Sequence, residues 1–244
     1  RTNGQLLGES IAYSSVSIDS RTLEKGDLFV AIKGDNFDGH QYVDQAVKAG
    51  CCAIVVNESS AENDLRQRVP KLQQTQPLLS VPDTQLALAE AALMNRELFP
   101  GPVVGLTGSS GKTSTKNMLA TILSQKGKTC ATEGNFNNEI GVPLSLLKLD
   151  ASHHFAVIEM GARSKGDIKY LAGIVKPDVA ILLNAGLSHV DVFGSYENIV
   201  KAKGEILESL DSDGIAIVNV DDPASEEWVS STPAKTIFGF SLKQ

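Results

Sequence analysis

The chain has 244 residues, 42% of them hydrophobic and 21% charged, with 22 basic against 29 acidic side chains and a net charge of −7. These are globular proportions, which exclude disorder, and an acidic balance without blocks of like charge argues against a general nucleic-acid or anionic-membrane binder. Apolar runs such as Val179-Ala180-Ile181-Leu182-Leu183 fall far short of the ~20 residues a spanning helix needs.

Cys51, Cys52 and Cys130 form no C-x-x-C pattern, so neither a disulfide framework nor a zinc site is expected. The chain reads as a soluble, cytoplasmic protein without a signal peptide. Arg1 is not an initiator methionine, so the natural start is expected upstream.

From the N-terminus, residues 28–32 read as a strand, followed by a turn-rich stretch over 33–39. A short helix carries Val43, Ala46 and Val47 on one face and stops at Gly50, a suitable C-terminal cap. Residues 51–56 and 78–81 read as buried strands. Pro82 and Asp83 open a helix with Leu86, Ala89 and Leu93 at core spacing, ending before Pro100. That helix is the expected junction between a small α/β domain, 1–82, and a second domain, 83–244.

From Val103 onward strand and helix alternate strictly. Strands are expected over 103–107, 128–131, 155–160, 179–183, 215–220 and 236–240. Helices are expected over 112–125, from near Gly141 with Pro143 in its first turn, from a capping box at Ser164 and Asp167 to Val175, and over 195–210. Continuously apolar strands between helices imply an α/β fold with a mostly parallel sheet covered by helices. Ligands of such sheets bind beyond the carboxyl ends of the strands, where the unusual residues of this chain cluster.

The first motif joins a strand to a helix: Gly105-Leu106-Thr107-Gly108-Ser109-Ser110-Gly111-Lys112-Thr113-Ser114-Thr115. A phosphate loop needs glycines that let backbone N–H groups approach the phosphates, and a helix N-terminus aimed at the anion. It also needs a lysine for the β and γ phosphates and a hydroxyl for Mg2+. Gly108, Gly111, Lys112 and Thr113 supply these, although Leu106 stands where the full pattern has its first glycine. The stretch reads as an ATP site.

Glu159 ends an apolar strand at the same sheet edge, where a nucleotide enzyme holds Mg2+. The plain alternative is an acid facing solvent. Met160-Gly161-Ala162 after it permits close backbone packing. His189 lies in the loop Asn184-Ala185-Gly186-Leu187-Ser188-His189 after another apolar strand. It is either a metal ligand or base, or a solvated loop histidine. His153 and His154 sit at the opposite end and receive no role.

At about 100° per residue, Ile199, Ile206 and Leu210 define an inward helix face that includes Lys203, while Lys201 points away. An inward lysine snorkels, pairs with a carboxylate, or stays buried with a depressed pKa and a reactive neutral amine; spacing alone favours the first two. Asn135, Asn137 and Asn138 fall within four residues between a strand and a helix. They suit a polar ligand or an Asx-turn loop with capping duties equally well.

Together these segments resemble the Mur ligase family, MurF type. Ser17-Ile18-Asp19-Ser20-Arg21, Gly26-Asp27-Leu28-Phe29-Val30-Ala31 and Asp38-Gly39-His40 look like the uridine-binding first domain of the MurE and MurF types. Leu106-Thr107-Gly108-Ser109-Ser110-Gly111-Lys112-Thr113 is similar to the family's ATP loop. Gly134-Asn135, Asn138-Glu139-Ile140-Gly141-Val142-Pro143 and Glu159-Met160-Gly161-Ala162 look like the MurF type in particular. Lys201-Ala202-Lys203-Gly204-Glu205 is similar to the segment whose lysine, in several members, is a carbamate bridging metal ions.

The resemblance implies ATP and Mg2+, with Gly108, Ser109, Ser110, Gly111, Lys112, Thr113 and Ser114 around the nucleotide. It implies Thr113 and Glu159 on one Mg2+, and His189 and carbamylated Lys203 on a second. Lys112, Glu159, His189 and Lys203 would carry catalysis, and Ser20, Arg21, Asp38, His40, Asn135, Asn137 and Asn138 would meet the UDP-linked substrate. The implied reaction joins D-alanyl-D-alanine to UDP-N-acetylmuramoyl-tripeptide through an acyl phosphate, a cytoplasmic step of peptidoglycan biosynthesis. The implied enzyme is a monomer without nucleic-acid or membrane partners.

The resemblance also implies a later part of the central domain and a C-terminal domain beyond Gln244. The alternatives are a binding-only fragment of such a ligase and an enzyme of the folylpolyglutamate synthetase type. The segments Ser20-Arg21 and Asp38-Gly39-His40 speak against the latter.

Overall fold

The computed structural model describes residues 2–34, 37–60, 76–186 and 190–243. The chain divides into two compact units, Arg1–Ala91 and Ala92–Gln244, each with its own sheet. The first sheet contains β1 (Gln5–Leu7), β2 (Val16–Ser17), β3 (Leu28–Val30), β4 (Ala53–Asn57) and β5 (Leu78–Val81) in the order β1-β5-β4-β3-β2. β1 is antiparallel to β5, and the remaining pairs are parallel. β1 and β2 are short and poorly buried, so they leave no apolar pattern in the sequence.

Helix α1 (Val43–Ala49) packs Val43 and Ala46 against Phe29, Ile54 and Leu78. It ends at Gly50, whose N–H reaches the carbonyls of Ala46 and Val47. Helix α2 (Thr84–Leu98) is opened by Asp83, whose Oδ1 accepts the N–H groups of Gln85 and Leu86.

The second sheet holds β6 (Val103–Thr107), β7 (Thr129–Ala131), β8 (Phe155–Glu159), β9 (Val179–Leu182), β10 (Ile215–Asn219) and β11 (Thr236–Phe240). It is wholly parallel, in the order β11-β10-β9-β6-β8-β7. The helices between are α3 (Lys112–Ser124), α4 (Gly141–Leu146), α5 (Asp167–Val175), α6 (Val190–Phe193), α7 (Tyr196–Glu208) and α8 (Ser225–Ser231). Val104, Leu106, Val157 and Ile181 form a core with Leu119 and Leu123 of α3. β8 and β9 flank β6 on opposite sides, so the chain reverses its direction of winding there. The carboxyl ends of these three strands therefore border one crevice, where such sheets bind ligands.

One local expectation is corrected. The N-cap of α5 is Gly166, not Ser164. Asp167 accepts the N–H groups of Arg163 and Ser164 and the Ser164 hydroxyl, which is half of a capping box. The amides of Gly166 and Lys169 go instead to the buried carboxylate of Glu205 on α7, at 2.7 and 3.0 Å. A carboxylate is a stronger acceptor than a hydroxyl at a helix N-terminus, so it takes the place of Ser164. Among the described residues, no helix is long and apolar enough to cross a membrane.

Candidate functional site

The loop after β6 turns into α3 through Gly111, whose φ of 78° lies in the left-handed region that favours glycine. No side chain caps α3, so its first-turn amides face outward as an anion site. The Lys112 Nζ folds back over the loop and donates to the carbonyls of Gly108 at 2.8 Å and Ser109 at 3.4 Å. Burial lowers its pKa, and the nearby Glu159 charge opposes that shift. The amides of Ser109 and Ser110 both donate to the side-chain oxygen of Asn184, just beyond β9.

Glu159 is 1% exposed, which excludes the solvent-facing alternative. Its Oε2 accepts the Thr113 hydroxyl at 3.0 Å, and its Oε1 accepts the Asn137 amide at 2.8 Å. The Glu159 N–H in turn donates to Thr132 Oγ1. Gly161 allows Asn137 this close: a Cβ there would lie 2.8 Å from Asn137 Oδ1. The three asparagines thus separate. Asn137 serves Glu159, Asn138 uses its Oδ1 on the Gly141 N–H at the start of α4, and the Asn135 side chain is exposed.

Lys203 is 4% exposed and faces inward from α7. It lines a cavity of about 350 Å³ with Gly108, Ser109, Lys112, Asn137 and Asp167. Its Nζ lies 5.8 Å from the Phe193 ring centroid. Burial, aided by the Lys112 charge and opposed by Asp167 and Glu205, lowers its pKa to about 8. Its amine does not reach solvent and, among the described residues, has no close carboxylate pair, which leaves a buried amine of reduced basicity. His189 lies outside the described residues.

In the first unit, Arg21 forms a bidentate surface pair with Asp19, at 2.9 Å from Nε to Oδ1 and 2.6 Å from Nη2 to Oδ2. Ser20 is buried beside it in sequence. His40 is buried and uses both ring nitrogens: Nε2 accepts the Asn57 N–H, so the hydrogen sits on Nδ1, 2.5 Å from Asp38 Oδ1.

Residues 106–244 match the Mur ligase middle domain, and residues 12–96 match the Mur ligase family catalytic domain. The chain belongs to the Mur ligase family. It is 43% identical over 239 residues to the UDP-N-acetylmuramoyl-tripeptide--D-alanyl-D-alanine ligase of Escherichia coli (strain K12), covering 98% of this chain and 50% of that relative. A crystal structure of MurF from Acinetobacter baumannii superposes with a TM-score of 0.84 at 38% identity, covering 98% of this chain and 50% of that one. The MurF ligase from Thermotoga maritima in complex with ADP gives a TM-score of 0.80 at 35% identity, covering 94% and 51%. The chain thus spans about half the length of the relatives it matches.

The side chains of this Mur ligase chain fit Mg2+ at one position. Mg2+ takes oxygen donors, commonly one or two carboxylates completed by water and substrate phosphates. The Thr113 hydroxyl and the Glu159 carboxylate beside the loop are such a pair. Among the described residues no group of three or more His, Cys, Asp and Glu side chains converges. Lys203 as an ammonium does not fit a metal, whereas a carbamate on it would supply oxygen donors.

Asn184, Glu205 and Lys116 are the site residues to which sequence reasoning assigns nothing. Lys116 is 2% exposed and donates to the Gly134 carbonyl at 3.2 Å, anchoring the start of the asparagine loop. Its only sequence signal is its place one turn after Lys112.

Proposed function

We propose that this chain is the uridine-nucleotide- and ATP-binding portion, 1–82 and 83–244, of a ligase that joins D-alanyl-D-alanine to UDP-N-acetylmuramoyl-tripeptide. The observation that carries this is the Thr113–Glu159 hydrogen bond beside a loop whose Lys112 lines one cavity with Lys203. The substrate assignment rests on the 43% identity to a ligase of that name.

The reaction brings a carboxylate to a polyphosphate, so charge neutralisation is the main chemical need. Lys112 and the uncapped first turn of α3 hold the phosphates. Thr113 and Glu159 would hold Mg2+, which offsets phosphate charge when bound. A terminal carboxylate oxygen of the tripeptide takes the γ-phosphoryl of ATP, and ADP leaves with the electrons of the broken P–O bond. The amine of D-alanyl-D-alanine then attacks the acyl carbon, phosphate leaves with the C–O bond electrons, and the amine's proton passes to the departing phosphate. Asn137 keeps Glu159 oriented throughout.

Lys203 is proposed to be carbamylated: its neutral amine adds to carbon dioxide, forming an N–C bond and releasing one proton. The resulting anion would serve a second Mg2+ with His189. Ser20, Arg21, Asp38 and His40 in the first unit, and Asn135, Asn137 and Asn138 in the second, are proposed to contact the UDP-linked substrate. Turnover is proposed for the whole ligase, in which lid closure commonly completes such sites.

The test is calorimetric titration of this chain with UDP-N-acetylmuramoyl-tripeptide, with and without Mg·ATP. Saturable binding of both is expected. A chain that melts cooperatively and binds neither would overturn the proposal.

A further inference from the structure

The phosphate loop is gripped by a residue that its motif does not contain. Asn184 Oδ1 accepts the N–H groups of Ser109 at 3.1 Å and Ser110 at 3.0 Å, and lies 3.4 Å from the Ser110 hydroxyl. Its Nδ2 donates back to the Ser110 carbonyl at 3.2 Å, and its own carbonyl also accepts the Ser109 N–H, at 3.0 Å. A primary amide is suited to this, since it accepts at one end and donates at the other without adding charge.

The consequence concerns which amides can meet an anion. In a phosphate loop, N–H groups between the glycines ordinarily turn toward the phosphates. Two of those groups are already satisfied here, from a different strand. The donors left include the Gly111 amide, the first-turn amides of α3, Lys112 to Ser114, and the Lys112 amine.

We propose that Asn184 is a positioning residue. It clasps Ser109 and Ser110, withholds their amides from the ligand, and so directs the nucleotide phosphates to the first turn of α3. The proposal rests on the nucleotide-site assignment. A loop held in its binding shape loses less freedom when the ligand arrives, which favours affinity.

The test is residue-resolved amide hydrogen exchange on this chain, free and with Mg·ADP, combined with Mg·ADP titration. In the free protein the amides of Ser109 and Ser110 should exchange slowly, and those of Lys112, Thr113 and Ser114 rapidly. Mg·ADP should slow the second set and leave the first unchanged. N184A should speed exchange chiefly at Ser110, because the Ser109 N–H keeps the main-chain carbonyl of residue 184 as an acceptor. It should also weaken Mg·ADP about tenfold, as expected for loss of one to two hydrogen bonds at ~1 kcal/mol each.

N184D keeps both acceptors, so slow exchange should return. Its negative charge should leave Mg·ADP weakly bound, most clearly at low salt. Faster exchange at Ser109 and Ser110 on adding Mg·ADP would overturn the proposal, as would N184A binding Mg·ADP as tightly as wild type. If the wild-type chain binds no Mg·ADP, the nucleotide assignment fails. The clasp is then decided on the free protein, where rapid exchange at the two serines overturns it and N184A-sensitive slow exchange upholds it.

Discussion

The Thr113 hydroxyl donates to Glu159 Oε2 at 3.0 Å, tying the first turn of α3 to the last residue of β8. The second oxygen of the same carboxylate is held by the Asn137 amide. Glu159 is therefore a buried carboxylate whose hydrogen-bond partners are neutral donors, set beside a loop that presents a lysine. A buried carboxylate held only by neutral hydrogen-bond donors favours binding a cation there.

Glu159→Gln tests this directly. The glutamine keeps an acceptor for the Thr113 hydroxyl but loses the charge. The chain should still fold and bind ADP without metal, while the gain in affinity from Mg2+ falls at least about tenfold, equivalent to ~1.4 kcal/mol. Calorimetry with and without Mg2+ reads the difference. An undiminished Mg2+ effect would place the metal elsewhere.

The parts of this site that the sequence discloses are those written in neighbouring residues. Glycine spacing marks the loop, an apolar run ending in an acid marks Glu159, and the helical period turns Lys203 inward. The parts it conceals act across the chain. Asn184 reaches Ser109 and Ser110 from 75 and 74 residues away, and Glu205 reaches Gly166 from 39 away. Nothing local distinguishes Asn137 from Asn138. Only the approach of β8 assigns one to Glu159 and leaves the other capping α4. β1 and β2 escape notice for another reason, since two or three poorly buried residues carry no periodicity.

Lys203 makes the stability of the chain depend on pH with a definite sign. Burial lowers its folded-state pKa from 10.5 to about 8. Between those values the unfolded chain keeps a proton that the folded chain has released, so stability contributed here rises with pH across that window. Below pH 8 both states are protonated, and the folded state bears the full cost, at most about 3 kcal/mol. Lys203→Met should therefore stabilise the chain near pH 7 by up to that amount, with the gain vanishing by about pH 10.5. Urea melts in carbonate-free buffer at pH 7 and pH 10 compare the two proteins. A pH-independent difference would contradict the assignment. Added bicarbonate should shift the wild-type melt and leave the variant unmoved if the amine forms a carbamate.

Arg96 holds the second unit together at the opposite end of the sheet. Its guanidinium donates to the carbonyls of Val175 and Lys176 at the end of α5 and to Asp178, which also accepts the Val103 N–H at the start of β6. Arg96→Ala leaves these acceptors unpaired and should cost about 2–3 kcal/mol. Arg96→Lys should recover little of it, because a single ammonium cannot span a planar fork of acceptors. Trp228 is the one tryptophan, buried in α8. Its fluorescence during denaturant unfolding reports on the second unit alone. An unchanged midpoint for Arg96→Ala would show that water replaces the guanidinium at no cost.

Arg21 allows the substrate assignment of the first unit to be tested without disturbing its fold. Its side chain is 80% exposed, and its pairing with Asp19, whose pKa the guanidinium and its own backbone N–H hold at about 2, is a surface interaction. Surface pairs of this kind contribute little, so Arg21→Ala should scarcely alter stability. A guanidinium that recognises a diphosphate makes charge-assisted, forked hydrogen bonds, and losing it should weaken UDP-N-acetylmuramoyl-tripeptide by about tenfold or more. Mg·ADP binding, assigned to the other unit, should not change. Equal loss of both ligands would indicate disruption of the chain, and no loss of either would remove Arg21 from the uridine-nucleotide site.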